Sequence, residues 1–255
     1  MDVCDKAAIV TGGGTGVGKA TALELAQRGC SVLVNYSRSQ SEAEQTATEI
    51  ESWGVKAVAM KADVADDDAC RHMVQTAVDA FGALHVLVNN AGTTSFINHN
   101  DLDQVTDEVW DRIMAVNLKG AFQCARAAKE ALLDSGGGEI VNVSSVAGVI
   151  GVGSCIPYAC SKAALNNLTV MLARVMAPKI RVNGVAPGFI SGRWLEQGLG
   201  AQYEAMKKAY ERRLPAREIC DPEDVAAAII SLITGSDLVL GQTLVVDSGL
   251  VIMQP

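Results

Sequence analysis

Ser145, Tyr158 and Lys162 fall within one short stretch, the first at the end of a strand-like run and the other two opening a helix-like one. A phenol normally titrates near pH ~10, so one that must gain and lose a proton near neutrality needs a cation and a hydrogen-bond donor beside it. Lys162 is four residues beyond Tyr158, which places both side chains on one helix face. The set reads as a proton-transfer site for an alcohol or a ketone. On this reading the ammonium lowers the phenol's pKa by about three units, a stabilisation of roughly 4 kcal/mol.

The spacing alone is a weak signal, and the chain contains its own control. Of its four tyrosines, Tyr203 also has a lysine four residues on, Lys207. Tyr158 differs in its surroundings. The β-rich run Gly138-Glu139-Ile140-Val141-Asn142-Val143-Ser144 delivers Ser145 to a strand's carboxyl end, where open α/β sheets bind ligands. Tyr203 is expected to be an ordinary helix residue. Cys155, three residues before Tyr158, either lines the substrate pocket or is a packed thiol.

A nucleotide site is expected upstream. After the first strand the chain reads Thr11-Gly12-Gly13-Gly14-Thr15-Gly16-Val17-Gly18 and then turns helical. Backbone amides at such a turn approach a pyrophosphate, and the helix amino terminus favours its charge. The end of the second strand, Asn35-Tyr36-Ser37-Arg38-Ser39, lacks the acid that would bind the ribose hydroxyls of NAD. Tyr36, Ser37 and Arg38 suit a 2′-phosphate instead, so NADP(H) is favoured over NAD(H).

Composition narrows the alternatives. A net charge of -8 and a pI near 4.9 disfavour nucleic acid and anionic membranes, which demand a basic face. The seven cysteines are scattered with no C-x-x-C pair, and no two histidines are spaced as a metal pair. Core thiols and no metal centre are expected. No apolar run reaches ~18 residues and no signal peptide is visible, so a cytoplasmic protein is expected. Asp66-Asp67-Asp68 reads as a helix cap.

The elements that must hold these residues alternate from end to end. Strands are predicted at 7–11, 31–35, 57–61, 86–89, 140–144, 180–185 and 243–247. Helices are predicted at 18–27, 40–52, 67–81, 106–133, 158–176 and 222–232. This is one α/β domain spanning residues 1–255, a doubly wound Rossmann fold with a seven-stranded parallel sheet. Residues 189–217 break the rhythm and form a small helical lid insertion. Phe189, Trp194 and Leu195 in it suggest an apolar wall around the substrate. Later in the lid, Lys207, Lys208, Arg212, Arg213 and Arg217 outnumber Glu204, Glu211 and Glu218.

With the glycine turn and the Ser145, Tyr158, Lys162 set in this order, the chain resembles the classical short-chain dehydrogenase/reductase family over essentially its whole length. Asp63-Val64 resembles the pair that meets the adenine. Asn89-Asn90-Ala91-Gly92 resembles the motif beneath the cofactor, and Val185-Ala186-Pro187-Gly188-Phe189-Ile190 the turn beside the nicotinamide. The resemblance implies that Tyr158 is the acid/base and that Ser145 orients the substrate oxygen. It further implies that Lys162 polarises the phenol and binds the nicotinamide ribose, and that Asn117 supports a relay water. A homotetramer built on the 106–133 and 158–176 helices is implied as well, with the tail Leu250-Val251-Ile252-Met253 touching a neighbour. Two positions depart from the pattern: Gly192 stands where a threonine is common, and Thr15 where NADP-dependent members often carry a base. The 3-oxoacyl-[acyl-carrier-protein] reductase branch looks most similar, while a general ketone or sugar-alcohol reductase remains open. Rivals from other classes are a non-catalytic NAD(P)-binding sensor or scaffold and a methyltransferase.

Overall fold

In a computed structural model, which describes residues 1–253, seven strands alternate with helices. The strands are β1 (Ala7–Val10), β2 (Ser31–Tyr36), β3 (Ala57–Lys61), β4 (Val86–Asn89), β5 (Gly138–Val143), β6 (Ile180–Pro187) and β7 (Thr243–Val246). All pair in parallel, in the order β3-β2-β1-β4-β5-β6-β7. The chain crosses from β3 to β4 over the sheet, so strand order reverses between β1 and β4. In open sheets of this kind the crevice at the carboxyl ends beside such a reversal is the usual ligand site.

The helices are α1 (Gly16–Gln27), α2 (Gln40–Glu51), α3 (Asp67–Phe81), α4 (Asp107–Met114), α5 (Ala121–Asp134), α6 (Ala147–Ile150), α7 (Ile156–Met176), α8 (Arg193–Leu199), α9 (Tyr203–Arg213) and α10 (Pro222–Thr234). Strand side chains alternate between two buried layers, as a pleat requires. Ala8, Val10, Val32, Val34, Val86 and Val88 join the layer that includes α1 and α10. Ile9, Leu33 and Leu87 join the layer that includes α3, α5 and α7. Burial on both faces explains why these strands read as continuous apolar runs rather than alternating ones. Asp66 caps α3 as expected, accepting from the amides of Asp68 and Ala69.

Two expectations need correction. The single helix expected over 106–133 is α4 and α5 joined by a π-helical turn, Ala115–Gly120. Not every cysteine is a core thiol, since Cys4 and Cys160 are exposed. The 189–217 insertion consists of α8, a 3₁₀ turn at Gly200–Gln202 and α9.

Candidate active site

The side chains expected to be catalytic converge because β5 and α7 are clamped together just beyond the sheet. Ser144 Oγ donates to the Lys162 carbonyl (3.1 Å), and Lys162 Nζ donates to the Val143 carbonyl (2.7 Å). The backbone of α6 presses on α7 so closely that a β-carbon on Gly148 would lie 2.4 Å from the Lys162 carbonyl carbon. Ser145 sits between them, its Oγ accepting from the Ala147 amide (3.1 Å). Ser145, Tyr158 and Lys162 are thus brought together by a loop, a helix start and one buried cation.

The electrostatics depart from the simple expectation. Burial pushes the Tyr158 phenol above its ordinary pKa, and the hydrogen bond with Ser145 only partly opposes it. The Lys162 ammonium is 4% exposed, and burial pulls its pKa down to about 8. It lies 5.7 Å from the Tyr158 ring centroid and is committed to a backbone carbonyl, which is why it does not lower the phenol as a free neighbouring cation would. The phenol is therefore held protonated at neutral pH, the state required of a proton donor.

Asn117 lies in the π turn, a widened helical turn that often marks functional positions. Its Oδ1 accepts from the Thr93 amide (2.8 Å), and its Nδ2 donates to the Thr93 carbonyl and to Ser161 Oγ (3.0 Å each). Ser161 in turn donates to the Tyr158 carbonyl (2.7 Å). Asn117 thus ties the loop after β4 to the first turn of α7. Thr93 and Ser161 were not singled out from the sequence. The only signal for Ser161 was its place one helical turn after Tyr158.

The glycine turn forms the opposite wall. Gly12 and Gly16 have φ of +63° and +52°, the left-handed region glycine tolerates best. A β-carbon on Gly18 would meet the Gly12 carbonyl oxygen at 2.2 Å, so α1 abuts the turn. Thr15, the N-cap, makes no side-chain bond, and the leading amides of α1 have no side-chain acceptor. Asn35 braces the turn, its Oδ1 accepting from the Gly12 amide (3.2 Å) and its carbonyl from the Gly13 amide (2.9 Å). From the far side, Asn90 Nδ2 donates to the carbonyls of Thr11 (2.8 Å) and Gly12 (3.2 Å). Thr11 Oγ1 accepts from the Asn90 and Ala91 amides (2.9 Å each).

Around the crevice, Tyr36 is buried while Ser37 and Arg38 are exposed beyond β2. Asp63 pairs with Arg112 Nη1 (2.9 Å). Burial acts to raise its carboxyl, but the Ala65 amide, Arg112 and the charge of Arg38 together hold it below the usual range. Val64 is fixed through its carbonyl, which accepts from Gln123 Nε2 (2.8 Å). At the carboxyl end of β6 the Pro187 carbonyl accepts from the Val146 amide, and Gly188 approaches Asp247 so closely that a β-carbon would lie 2.8 Å from its Cβ. Ile190 bridges to Cys220 at the start of the lid.

The four side chains expected to line the substrate pocket lie at different depths. Trp194 is half exposed and reaches toward Gly92, where a β-carbon would lie 3.8 Å from its Cη2. Leu195 is half-buried beside it. Cys155 is fully buried, its Sγ 3.7 Å from Thr94 Oγ1, so it is the packed thiol of the two alternatives. Phe189 turns beneath the lid, its ring 4.6 Å from that of Tyr210 and 6.2 Å from that of Tyr203. Tyr203 is buried there and its hydroxyl accepts from the Gly192 amide (3.4 Å), a structural role.

The family model of the short chain dehydrogenases matches residues 6–200. The chain belongs to this family. It is 40% identical over 242 residues to a protein named as ketoacyl reductase 2 of the granaticin polyketide synthase of Streptomyces violaceoruber, across 95% of this chain and 94% of that one. It is 36% identical over 247 residues to the 3-oxoacyl-[acyl-carrier-protein] reductase of Staphylococcus aureus, across 96% and 98%. A crystal structure of a short-chain dehydrogenase/reductase from Burkholderia xenovorans shares the fold at a TM-score of 0.90 and 34% identity, covering 97% of this chain and 98% of that one.

As a short-chain dehydrogenase/reductase, the chain is an NAD(P)-dependent oxidoreductase acting on ketones and secondary alcohols. The residues present fit the dinucleotide. A β-carbon on Gly16 would face open space at the tip of the turn, and the capless start of α1 offers amides to a diphosphate there. Among the described residues no helix is long and apolar enough to cross a membrane.

Proposed function

We propose that this enzyme works as a reductase of 3-oxoacyl thioesters, preferring NADPH, with Asn117, Ser145, Tyr158 and Lys162 as its catalytic set. The observation that carries the reading is the juxtaposition at the carboxyl end of β5: the Ser145 hydroxyl against the Tyr158 phenol, with the buried Lys162 ammonium 5.7 Å from the ring centroid. A bound nicotinamide supplies the hydride, and the remaining work falls to the chain. Ser145 holds the substrate oxygen and Tyr158 donates its proton to that oxygen as negative charge develops on it. Lys162, buried behind the phenol and donating to the Val143 carbonyl, holds the start of α7 and with it Tyr158 against β5, and its ammonium is offered to the nicotinamide ribose. Asn117 holds the loop after β4 against the first turn of α7, which carries Tyr158. Gly12, Gly14, Thr15, Gly16, Val17 and Gly18 receive the diphosphate, with Asp63, Val64, Asn90, Ala91 and Gly92 beneath the nucleotide and Pro187, Gly188 and Ile190 beside the nicotinamide.

Arg38, exposed and free of any ion pair among the described residues, supports the 2′-phosphate preference. The thioester reading is supported by relatives named as ketoacyl and 3-oxoacyl reductases. It also fits Lys207, Lys208, Arg212, Arg213 and Arg217 on and after α9, none of which forms an ion pair among the described residues. Such a field attracts a phosphate-bearing acyl carrier. A homotetramer is the assembly we propose, supported by Trp110 and Phe122 on α4 and α5 and by Val170, Met171 and Val175 on α7, all substantially exposed.

The test is turnover of acetoacetyl-CoA, a carrier-bound 3-oxoacyl group and simple ketones by wild type, Tyr158→Phe and Tyr203→Phe. Tyr158→Phe should lose at least ~10²-fold with cofactor binding kept, and Tyr203→Phe little. Wild-type rates in Tyr158→Phe would overturn the acid assignment. Thioesters no better than ketones, with no salt sensitivity, would return the lid to a plain apolar cover.

A further inference from the structure

The lid meets the nucleotide-binding wall at one charged contact. Arg193, the first residue of α8, pairs with Glu42 in the first turn of α2, 151 positions away in sequence. Ala43, next to Glu42, packs its backbone against Gly14 so tightly that a β-carbon on that glycine would fall 2.8–3.1 Å from it. Gly14 leads directly into Thr15 and the open amides of α1. The Arg193 guanidinium is therefore held at the mouth of the crevice, beside the turn that receives a diphosphate.

The other polar groups on this edge of the lid are spoken for. Ser191 donates its hydroxyl to the Asp221 carboxylate, and Gly192 has no side chain. The lid does not depend on Arg193 for its position. The Tyr203 hydroxyl accepts from the Gly192 amide, the Phe96 ring lies where a β-carbon on Gly198 would sit, and Trp194 leans toward Gly92. Glu42 is an anion standing where a diphosphate would compete for the same guanidinium. Arg193 first, through its hydrogen bond, holds that carboxyl below its ordinary range. A guanidinium forms paired, charge-assisted hydrogen bonds with phosphate as it does with carboxylate, and an exposed ion pair such as that of Arg193 with Glu42 costs little to break.

We propose that Arg193 is a further cofactor-binding residue, delivered by the lid, whose guanidinium leaves Glu42 for the diphosphate of the incoming dinucleotide. The inference rests on the glycine turn being the dinucleotide site. Dissociation constants for NADH, NADPH and ADP-ribose, read from protein fluorescence in wild type, Arg193→Gln and Glu42→Gln, test it. Thermal melts establish that both exposed variants are folded. Arg193→Gln should weaken all three ligands by a similar factor, about tenfold, because the diphosphate is common to them. Glu42→Gln should not weaken them, since it removes a competitor. An ADP-ribose affinity within twofold of wild type in Arg193→Gln overturns the assignment. So does an equal loss in Glu42→Gln, which would make the ion pair a simple latch. A wild type that binds none of the three would sink the dinucleotide site itself and this inference with it.

Discussion

Replacing Lys162 by methionine should abolish turnover and stabilise the fold, and the size of the gain can be worked out. The ammonium is 4% exposed, and burial brings its pKa from 10.5 to about 8. Below pH 8 both folded and unfolded chains carry the charge, and the folded chain bears the full cost of burying it. Each pKa unit is worth about 1.4 kcal/mol, so that cost at pH 7 is roughly 3 kcal/mol. Between pH 8 and 10.5 the unfolded chain holds the proton and the folded one does not, so wild-type stability rises with pH. Near pH 10 the cost has fallen below about 1 kcal/mol. Methionine fills a similar volume but loses the bond to the Val143 carbonyl, about 1 kcal/mol for a neutral donor. Lys162→Met should therefore be more stable than wild type by about 2 kcal/mol at pH 7 and nearly equal to it at pH 10. Urea unfolding at both pH values, at matched protein concentration and without cofactor, measures the difference. A variant less stable than wild type at pH 7, or a difference that ignores pH, would refute the argument.

Arg38→Ala should weaken NADPH by about tenfold and NADH by less than twofold in fluorescence titrations, as expected for loss of one exposed charge-assisted contact. Equal losses would remove Arg38 from the 2′-phosphate site. Glu139 and Arg181, both buried, pair at 2.9 Å, and burial with Arg181 opposing it pushes the Glu139 carboxyl up to about 7. Glu139→Ala leaves the buried guanidinium only the carbonyls of Leu232, Ile233 and Val239 and the exposed Asp237, and should cost about 3 kcal/mol in urea unfolding, while Glu139→Gln should cost clearly less. Light scattering at micromolar concentration should give the mass of four chains, and Val175→Asp on the exposed face of α7 should lower it.

The sheet and most helix bounds were legible in the sequence because strands buried on both faces leave unbroken apolar runs, and helices between them carry a 3.6-residue period. The π turn at Ala115–Gly120 was not, because one extra residue in a helical turn barely disturbs that period. The four-residue α6 is too short to carry any. Ser145, Tyr158 and Lys162 could be read from spacing, but their protonation could not. Burial of the phenol and the engagement of Lys162 with Val143 emerge only from packing. Phe189 and Trp194 are both large and apolar and lie five positions apart, yet one turns under the lid and the other over the crevice. Nothing in residue type separates those outcomes. Arg193 and Glu42 are a contact between distant segments, invisible to any local pattern.

The bracing of the glycine turn bears on how the protein comes into being at the ribosome. Thr11 and Gly12 are secured by Val88, Asn90 and Ala91, 77 to 80 positions further along the chain. A nascent chain that has delivered only β1 through β3 has the turn's glycines but not the strand that fixes their carbonyls. Closing so long a loop costs entropy before any of these bonds reward it. Competence to hold a nucleotide therefore arrives only with β4, and an amino-terminal fragment ending before Val86 would possess the complete glycine motif without a working site.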